Sequence, residues 1–264
     1  MFELFIFYVF VGFAAQIVDG ALGMAYGVIS TTVLVSFGIP PAVASASVHT
    51  AEIVTTGISG ISHAMFKNVD YVLFRRLVIP GIIGAVLGAY VLTIIPVNIA
   101  RPLIAIYFII MGVIILSRAF QGGKIMQSIK NFFSHRITRQ KLPSKEAKGL
   151  IPLGLAGGFF DATGGGGWGS MVTSSLLAQG TTPHYTIGSV NFTEFLITIS
   201  SSMTFFFTIG ISHWLIILGL IVGGGIAAPL SAYIVRRIQP RIIMLVAGFV
   251  IIGLSIRTII KLFF

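Results

Sequence analysis

The sequence predicts an all-α, polytopic transmembrane helical bundle of two homologous inverted repeats, each opened by an interrupted helix in re-entrant or hairpin form. Three observations lead there: an apolar composition, a long-range self-similarity and a skewed distribution of basic residues. Of the 264 residues, 56% are hydrophobic and 9% charged, where a soluble domain carries roughly a quarter charged residues. Mean hydropathy is +1.01. Lipid offers the backbone no hydrogen-bond partners, so helices or closed barrels must span it, and the period-2 alternation of barrel strands is absent. The lack of cysteine excludes disulfides, thiolate metal sites and thiol catalysis together.

The repeat is read by sliding the chain 142 positions without a gap. Gly12 then meets Gly154, Asp19 meets Asp161, Gly23 meets Gly165, Gly27 meets Gly169, Thr31 meets Thr173 and Pro41 meets Pro183. Further on, Ser47 meets Ser189, Glu52 meets Glu194, Thr56 meets Thr198 and Gly81 meets Gly223. Shared greasiness cannot produce coincidences at Asp, Glu, Gly, Pro and Thr.

Taken in order, the N-terminal MFELFIFYVF has no basic region and no small-residue cleavage site, so it begins a membrane segment rather than a signal peptide. Residues 2–36 are almost uniformly apolar. As one helix they would reach about 52 Å at 1.5 Å per residue, against a hydrocarbon core of roughly 30 Å. The helix must therefore break, and VDGALG at 18–23 is the expected place, with DATGGGGWGS at 161–170 as its counterpart. Apolar stretches near 42–66, 77–95 and 102–117, and again near 185–209, 214–235 and 242–256, supply three crossings per half. An odd number of crossings turns the second half upside down. The expected boundaries are 1–118 for the first membrane repeat, 119–149 for a basic cytoplasmic loop and 150–264 for the second repeat, together one transmembrane domain.

The net charge of +10 follows from that topology. Lys124, Lys130, Arg136, Arg139, Lys141, Lys145 and Lys148 crowd the 119–149 loop against a lone Glu146, as the positive-inside bias requires. No nucleic-acid partner is needed to explain them. Ile125, Ile129, Phe132, Phe133 and Ile137 recur there at helical spacing, which suits a basic amphipathic helix lying on anionic headgroups. Inversion places Lys67, Arg75, Arg76, Arg236, Arg237 and Arg241 on the same cytoplasmic side, with Arg101 as the short-loop exception and Arg257 and Lys261 fitting less well.

Only seven acidic residues exist, and four of them form the matched pairs Asp19/Asp161 and Glu52/Glu194. All four are expected inside the membrane, where an ionisable side chain costs at least ~2.5 kcal/mol and so marks a functional cavity by default. Ser45, His49, Glu52, Thr56, Ser59 and His63 fall on one helical face, and Asn191, Glu194, Thr198 and Ser201 repeat it. Asp19, Glu52, Asp161 and Glu194 are the expected ion- or proton-coupling groups. A helix-capping role competes for the two Asp residues and a helix-gluing role for the two Glu residues. Gly164, Gly165, Gly166 and Gly167 are expected to present bare N–H groups to an anion, with Thr31, Thr173, His49 and Asn191 completing the binding surface. Close helix packing is the competing reading of the same glycines. An interior with carboxylates and no Lys or Arg suits H⁺ or Na⁺, while half-helix N-termini suit an anion.

Enzymatic readings find no support. Gly164, Gly166 and Gly169 spell G-x-G-x-x-G, but no strand or βαβ unit surrounds them, and no lysine completes a phosphate loop. No nucleophile elbow, HExxH or metal-ligand spacing is present, so no catalytic residue, metal or cofactor is expected.

VGFAAQIVDGALGMAYGV with PPAVASASVHTAE and SGISHAMFKNVD, then GLAGGFFDATGGGGWGSMVTSSLLAQG with IGSVNFTEF, resembles the sulfite exporter TauE/SafE family over nearly the whole chain. The first half carries GALGMAYG where many members carry a GGG-type tract. The resemblance implies a bacterial-type plasma-membrane protein that moves small sulfur-containing anions, such as sulfite or organosulfonates, by secondary transport. The expected partners are that anion and the bilayer. Export linked to a proton through Glu52, Glu194 or His49 is the expected activity. An uncoupled anion channel, a carrier of another small organic anion and a non-transporting scaffold stay open, as does the oligomeric state.

Overall fold

A computed structural model describes residues 1–22, 24–134, 147–210, 212–234 and 239–263. Among them, helices are the only regular elements. The chain opens with α1 (Phe2–Leu22), which includes Val18–Ala21 and ends at Leu22, within the expected break at 18–23. Gly20 lies there because α1 packs hard on a later helix: a Cβ at this position would collide with the Ser231 side chain. The next helix starts just beyond Ala25, its N-cap residue, whose φ of 97° lies in the left-handed region. The following α2 (Tyr26–Ser36) has 11 residues and is about 16 Å long, too short to cross. It turns back along α1 until the Phe37 ring rests 4.8 Å from that of Phe7.

The second half repeats this hairpin. Helix α6 (Leu150–Gly164) ends in Gly165, Gly166 and Gly167, all at positive φ. A π-helical turn (Gly169–Thr173) leads into α7 (Ser174–Ala178). The chain again returns to its starting side, where Lys148 N–H donates to Gln179 Oε1 at 2.9 Å. Phe37 and Gln179 are equivalent positions of the repeat, so both interrupted segments are hairpins of one design.

Three long helices follow each hairpin: α3 (Pro41–Met65), α4 (Tyr71–Ile94) and α5 (Val97–Ser134), then α8 (Pro183–Ile209), α9 (Trp214–Ile234) and α10 (Pro240–Phe263). Pro41 and Pro183 open α3 and α8 at the position where a missing N–H is harmless. Asp70 caps α4, accepting from Val72 N–H at 2.9 Å and Leu73 N–H at 3.3 Å. Among the described residues six helices are long and apolar enough to cross a bilayer: α1, α4, α5, α8, α9 and α10. In α3 the polar face lowers the hydropathy, though its 25 residues span about 37 Å. Ile79, Ile83, Leu87, Tyr90 and Ile94 run down one exposed side of α4, a greasy outer face that only lipid would cover. The loop expected at 119–149 begins later than its charges suggested, because α5 continues unbroken to Ser134. Ile137 of the proposed amphipathic stretch lies outside the described residues.

The halves interlock reciprocally. Helix α1 runs parallel to α9, Gly12 against Leu220 and Gly20 against Ser231, and α6 runs parallel to α4, Gly154 against Pro80 and Gly158 against Gly81 and Ala85. Small residues let these backbones touch. Helices α3 and α8 are repeat equivalents and cross antiparallel, Gly57 against Phe195 and Gly60 against Phe192. At their crossing the Thr56 and Thr198 hydroxyls, the same position in the two repeats, lie 3.3 Å apart. Helices α5 and α10 are equivalent too and also pass antiparallel, Gly112 beside Ile252 and Gly248 beside Leu116. The 142-residue offset carries each of these helix pairs onto another of them or onto itself. Equivalent helices running in opposite senses are what a two-fold axis lying in the membrane plane would require.

Candidate functional site

The tips of the two hairpins meet at the centre of the bundle, where Gly27 at the start of α2 faces Gly165 and Gly166. The glycine tract closes on the protein's own carboxylate. Gly165 N–H and Gly166 N–H donate to the Asp161 carbonyl, the latter at 2.8 Å. Trp168 N–H donates to Asp161 Oδ1 at 2.8 Å. The carbonyls are engaged as well: Gly165 O accepts from Thr31 Oγ1 at 2.8 Å, Gly166 O from the Tyr107 hydroxyl at 2.8 Å, and Ala162 O from Ser45 Oγ at 2.6 Å. A Cβ on Gly164 would enter the Tyr107 ring, and one on Gly166 would lie 2.5 Å from the Gly27 backbone. The amide cradle expected of Gly164–Gly167 is therefore filled from within, by Asp161. Three consecutive left-handed residues let the backbone wrap this side chain, which only glycine does without strain.

The first hairpin has the same cap in a sparer form. Asp19 Oδ1 accepts from Tyr26 N–H at 3.2 Å, seven residues ahead, as Asp161 does from Trp168. Tyr26 and Trp168 are repeat equivalents, and each anchors its polar tip on another helix, Tyr26 OH on Leu220 O and Trp168 Nε1 on Val190 O. A second carboxylate attends each half-helix start. Glu194 lies beside Gly169 N–H. Its counterpart Glu52 places Oε1 where a Cβ on Gly27 would come within 2.9 Å. Each half-helix thus begins against an Asp and a Glu of its own half, which complement the positive end of its dipole.

Of the side chains that join the halves, His49 is the one that reaches carboxylates of both. His49 on α3 is fully buried and puts Nδ1 3.2 Å from Glu52 Oε2. Its Nε2 lies 3.2 Å from the Asp161 carbonyl and 3.9 Å from Asp161 Oδ2, an oxygen with no hydrogen-bond partner. The ring stacks over Phe205 of α8. Asn191, the equivalent of His49, instead donates to Ser59 Oγ at 3.2 Å. Thr173, the equivalent of Thr31, is buried in the π-helical turn. The structure so brings Asp161, His49, Glu52, Thr31 and Gly164–Gly167 into one network, with Asp19 and Glu194 at the two half-helix starts and Asn191 directed elsewhere.

A model of the sulfite exporter TauE/SafE family matches residues 8–258. The chain belongs to that family. It is 43% identical over 261 residues, 97% of this chain and 83% of the relative, to the probable membrane transporter protein YtnM of Bacillus subtilis strain 168. No solved structure matches. With six helices among the described residues able to cross a bilayer, this TauE/SafE protein is a multi-pass cell-membrane transporter.

Two side chains of this TauE/SafE site escape sequence reasoning. Tyr107 sits inside the apolar run 102–117, where a lone hydroxyl gives no signal, yet it clamps the glycine turn. Arg118 corrects the expectation of an interior without Lys or Arg. It directly follows that run, and α5 continues past it. The half-buried guanidinium donates to Ser170 O at 2.6 Å and rests on Met24 Sδ. Among the described residues no group of three or more His, Cys, Asp or Glu could hold a metal ion.

Proposed function

We propose that this transporter exports a small sulfur-containing anion, sulfite or an organosulfonate, by proton-coupled secondary transport. The observation that carries the reading is His49, a titratable group of the first half held against Asp161 of the second half, at the place where the hairpin tips meet. Asp161, His49, Glu52 and Glu194 then form the proton path. Protonated His49 has two donors and can hold Glu52 and Asp161 together; neutral His49 has one and must release one of them. That difference biases the contact between the halves, and rocking about it exposes the site to alternate sides. The matched carboxylates and the antiparallel crossing of equivalent helices support an inverted-repeat carrier. The basic loops on one side support the assignment of that side to the cytoplasm.

The test is flux of labelled sulfite and organosulfonates in proteoliposomes under imposed pH and Na⁺ gradients. Saturable flux with accelerated counterflow is expected, because a carrier exchanges faster than it moves net cargo and a channel does not. Glu194→Gln retains size and most hydrogen bonding but cannot release a proton. It is expected to keep counterflow and lose the response of net flux to the pH gradient. Gradient-driven flux equal to wild type, at matched reconstituted protein, would remove Glu194 from the mechanism. No saturable flux of any sulfur anion would sink the whole reading.

A further inference from the structure

Arg118 lies in the membrane-spanning part of α5, within the apolar span Val97–Phe120. A charge at that depth is costly and ordinarily pairs with an opposite charge. Here it does not. The guanidinium meets a thioether and a peptide carbonyl, both neutral, and among the described residues no carboxylate comes within ion-pair distance. The four intramembrane acids have other neighbours: Asp161 and Glu52 face His49, Asp19 holds Tyr26 N–H and Glu194 lies beside Gly169 N–H. Beside this uncompensated cation is a second unfilled group. Ser170, whose carbonyl Arg118 holds, is 1% exposed and its hydroxyl has no hydrogen-bond partner.

We propose that Arg118 and the Ser170 hydroxyl form the anion-recognition subsite of the carrier, taking the oxygens of the cargo between the two hairpin tips. This rests on the transport reading above and names the group that recognises the substrate. The glycine amides, committed to Asp161, leave that role open. A guanidinium has five N–H donors in a planar fork that matches two oxygens of one oxyanion, and a thioether is a weak acceptor that an anion displaces. The location links occupancy to movement. Met24 belongs to the first hairpin tip and Ser170 to the start of the second half-helix, so Arg118 bridges both. An anion on Arg118 releases that bridge. The site is also one-sided, since the equivalent of Arg118 is Ile260. One cation per molecule predicts one anion per cycle.

Equilibrium binding of radiolabelled sulfite and methanesulfonate to the full-length, detergent-purified protein tests this. Arg118→Gln is expected to weaken binding at least ~10-fold and Arg118→Lys, which keeps charge but loses the fork, only several-fold. Ser170→Ala should weaken it about threefold. Equal affinity of wild type and a folded Arg118→Gln overturns the proposal, as does wild type that binds neither anion. Where Arg118→Gln fails to fold, sulfite should protect Arg118 of the wild type from phenylglyoxal, read by mass spectrometry; undiminished modification overturns it. Parallel flux separates the two readings. Binding that depends on Arg118 without saturable flux sinks transport and leaves the subsite standing, while flux with binding indifferent to Arg118 does the reverse.

Discussion

The two hairpins are one design executed at different strength. In the second, Asp161 gathers three backbone N–H groups, two on its carbonyl and one on its carboxylate, around three left-handed glycines. In the first, Asp19 holds the Tyr26 N–H, and the chain turns on Ala25, whose Cβ makes a φ of 97° unfavourable. Asp161 is buried and Asp19 half-buried. The added bonds bring the second tip into the reach of His49, so the stronger cap is also the one that meets a titratable ring of the opposite half. An internal duplication thus supplies two equivalent breaks, both joined to the opposite half, and the second alone is joined through a titratable side chain.

Removing the caps should break this comparison most visibly. Asp161→Ala strands the buried Trp168 N–H and is expected to cost about 2 kcal/mol, whereas Asp19→Ala should cost about 1 kcal/mol. Thermal unfolding of the purified variants checks the order, and equal losses would show that the second hairpin owes nothing to its closed turn. A smaller effect is expected where the halves differ by a titratable ring. His49→Asn makes the two polar helices alike and should leave the fold within about 1 kcal/mol while abolishing the pH dependence of flux. Asn191→His should not restore it, because position 191 faces Ser59 rather than a carboxylate. If Asn191→His alone regained the pH response, the two positions would be interchangeable and the asymmetry without meaning. The mildest variants leave activity unchanged and report only geometry. Cysteines at Gln239 and Ser212, both exposed in an otherwise cysteine-free chain, should differ in labelling by an impermeant thiol reagent on intact cells. Only the cysteine at 212 should react, and reaction at 239 would overturn the inverted arrangement.

Cationic exceptions to the loop-charge pattern find a local reason. Arg101 donates to Gly38 O at 2.8 Å, and Arg257 donates to Ser36 Oγ at 3.3 Å while lying over the Phe37 ring. Both therefore sit at the C-terminal end of α2, where free carbonyls and the negative dipole end attract a cation. They serve a half-helix terminus rather than the orientation of the chain.

The membrane class, the two copies, the existence of a break in each and the four intramembrane acids were all legible in the residues alone. Composition and self-similarity are properties of the sequence, and lipid leaves the backbone only one way to respond to them. The Asp–break spacing was legible too, since a cap lies close in sequence to the helix it serves. What a bare N–H faces is not legible, because it depends on where a distant chain passes: the glycines that could have cradled an anion wrap Asp161, with Thr31 and Tyr107 closing over their carbonyls. The continuation of α5 past Arg118 was equally hidden, since a basic residue after an apolar run reads as an exit from the membrane until packing shows the helix going on. The neighbours of His49, Arg118 and Tyr107 come from segments 50–150 residues away. Only the interlocking of the two halves puts them together, and that interlocking is set by which small residues let which helices touch.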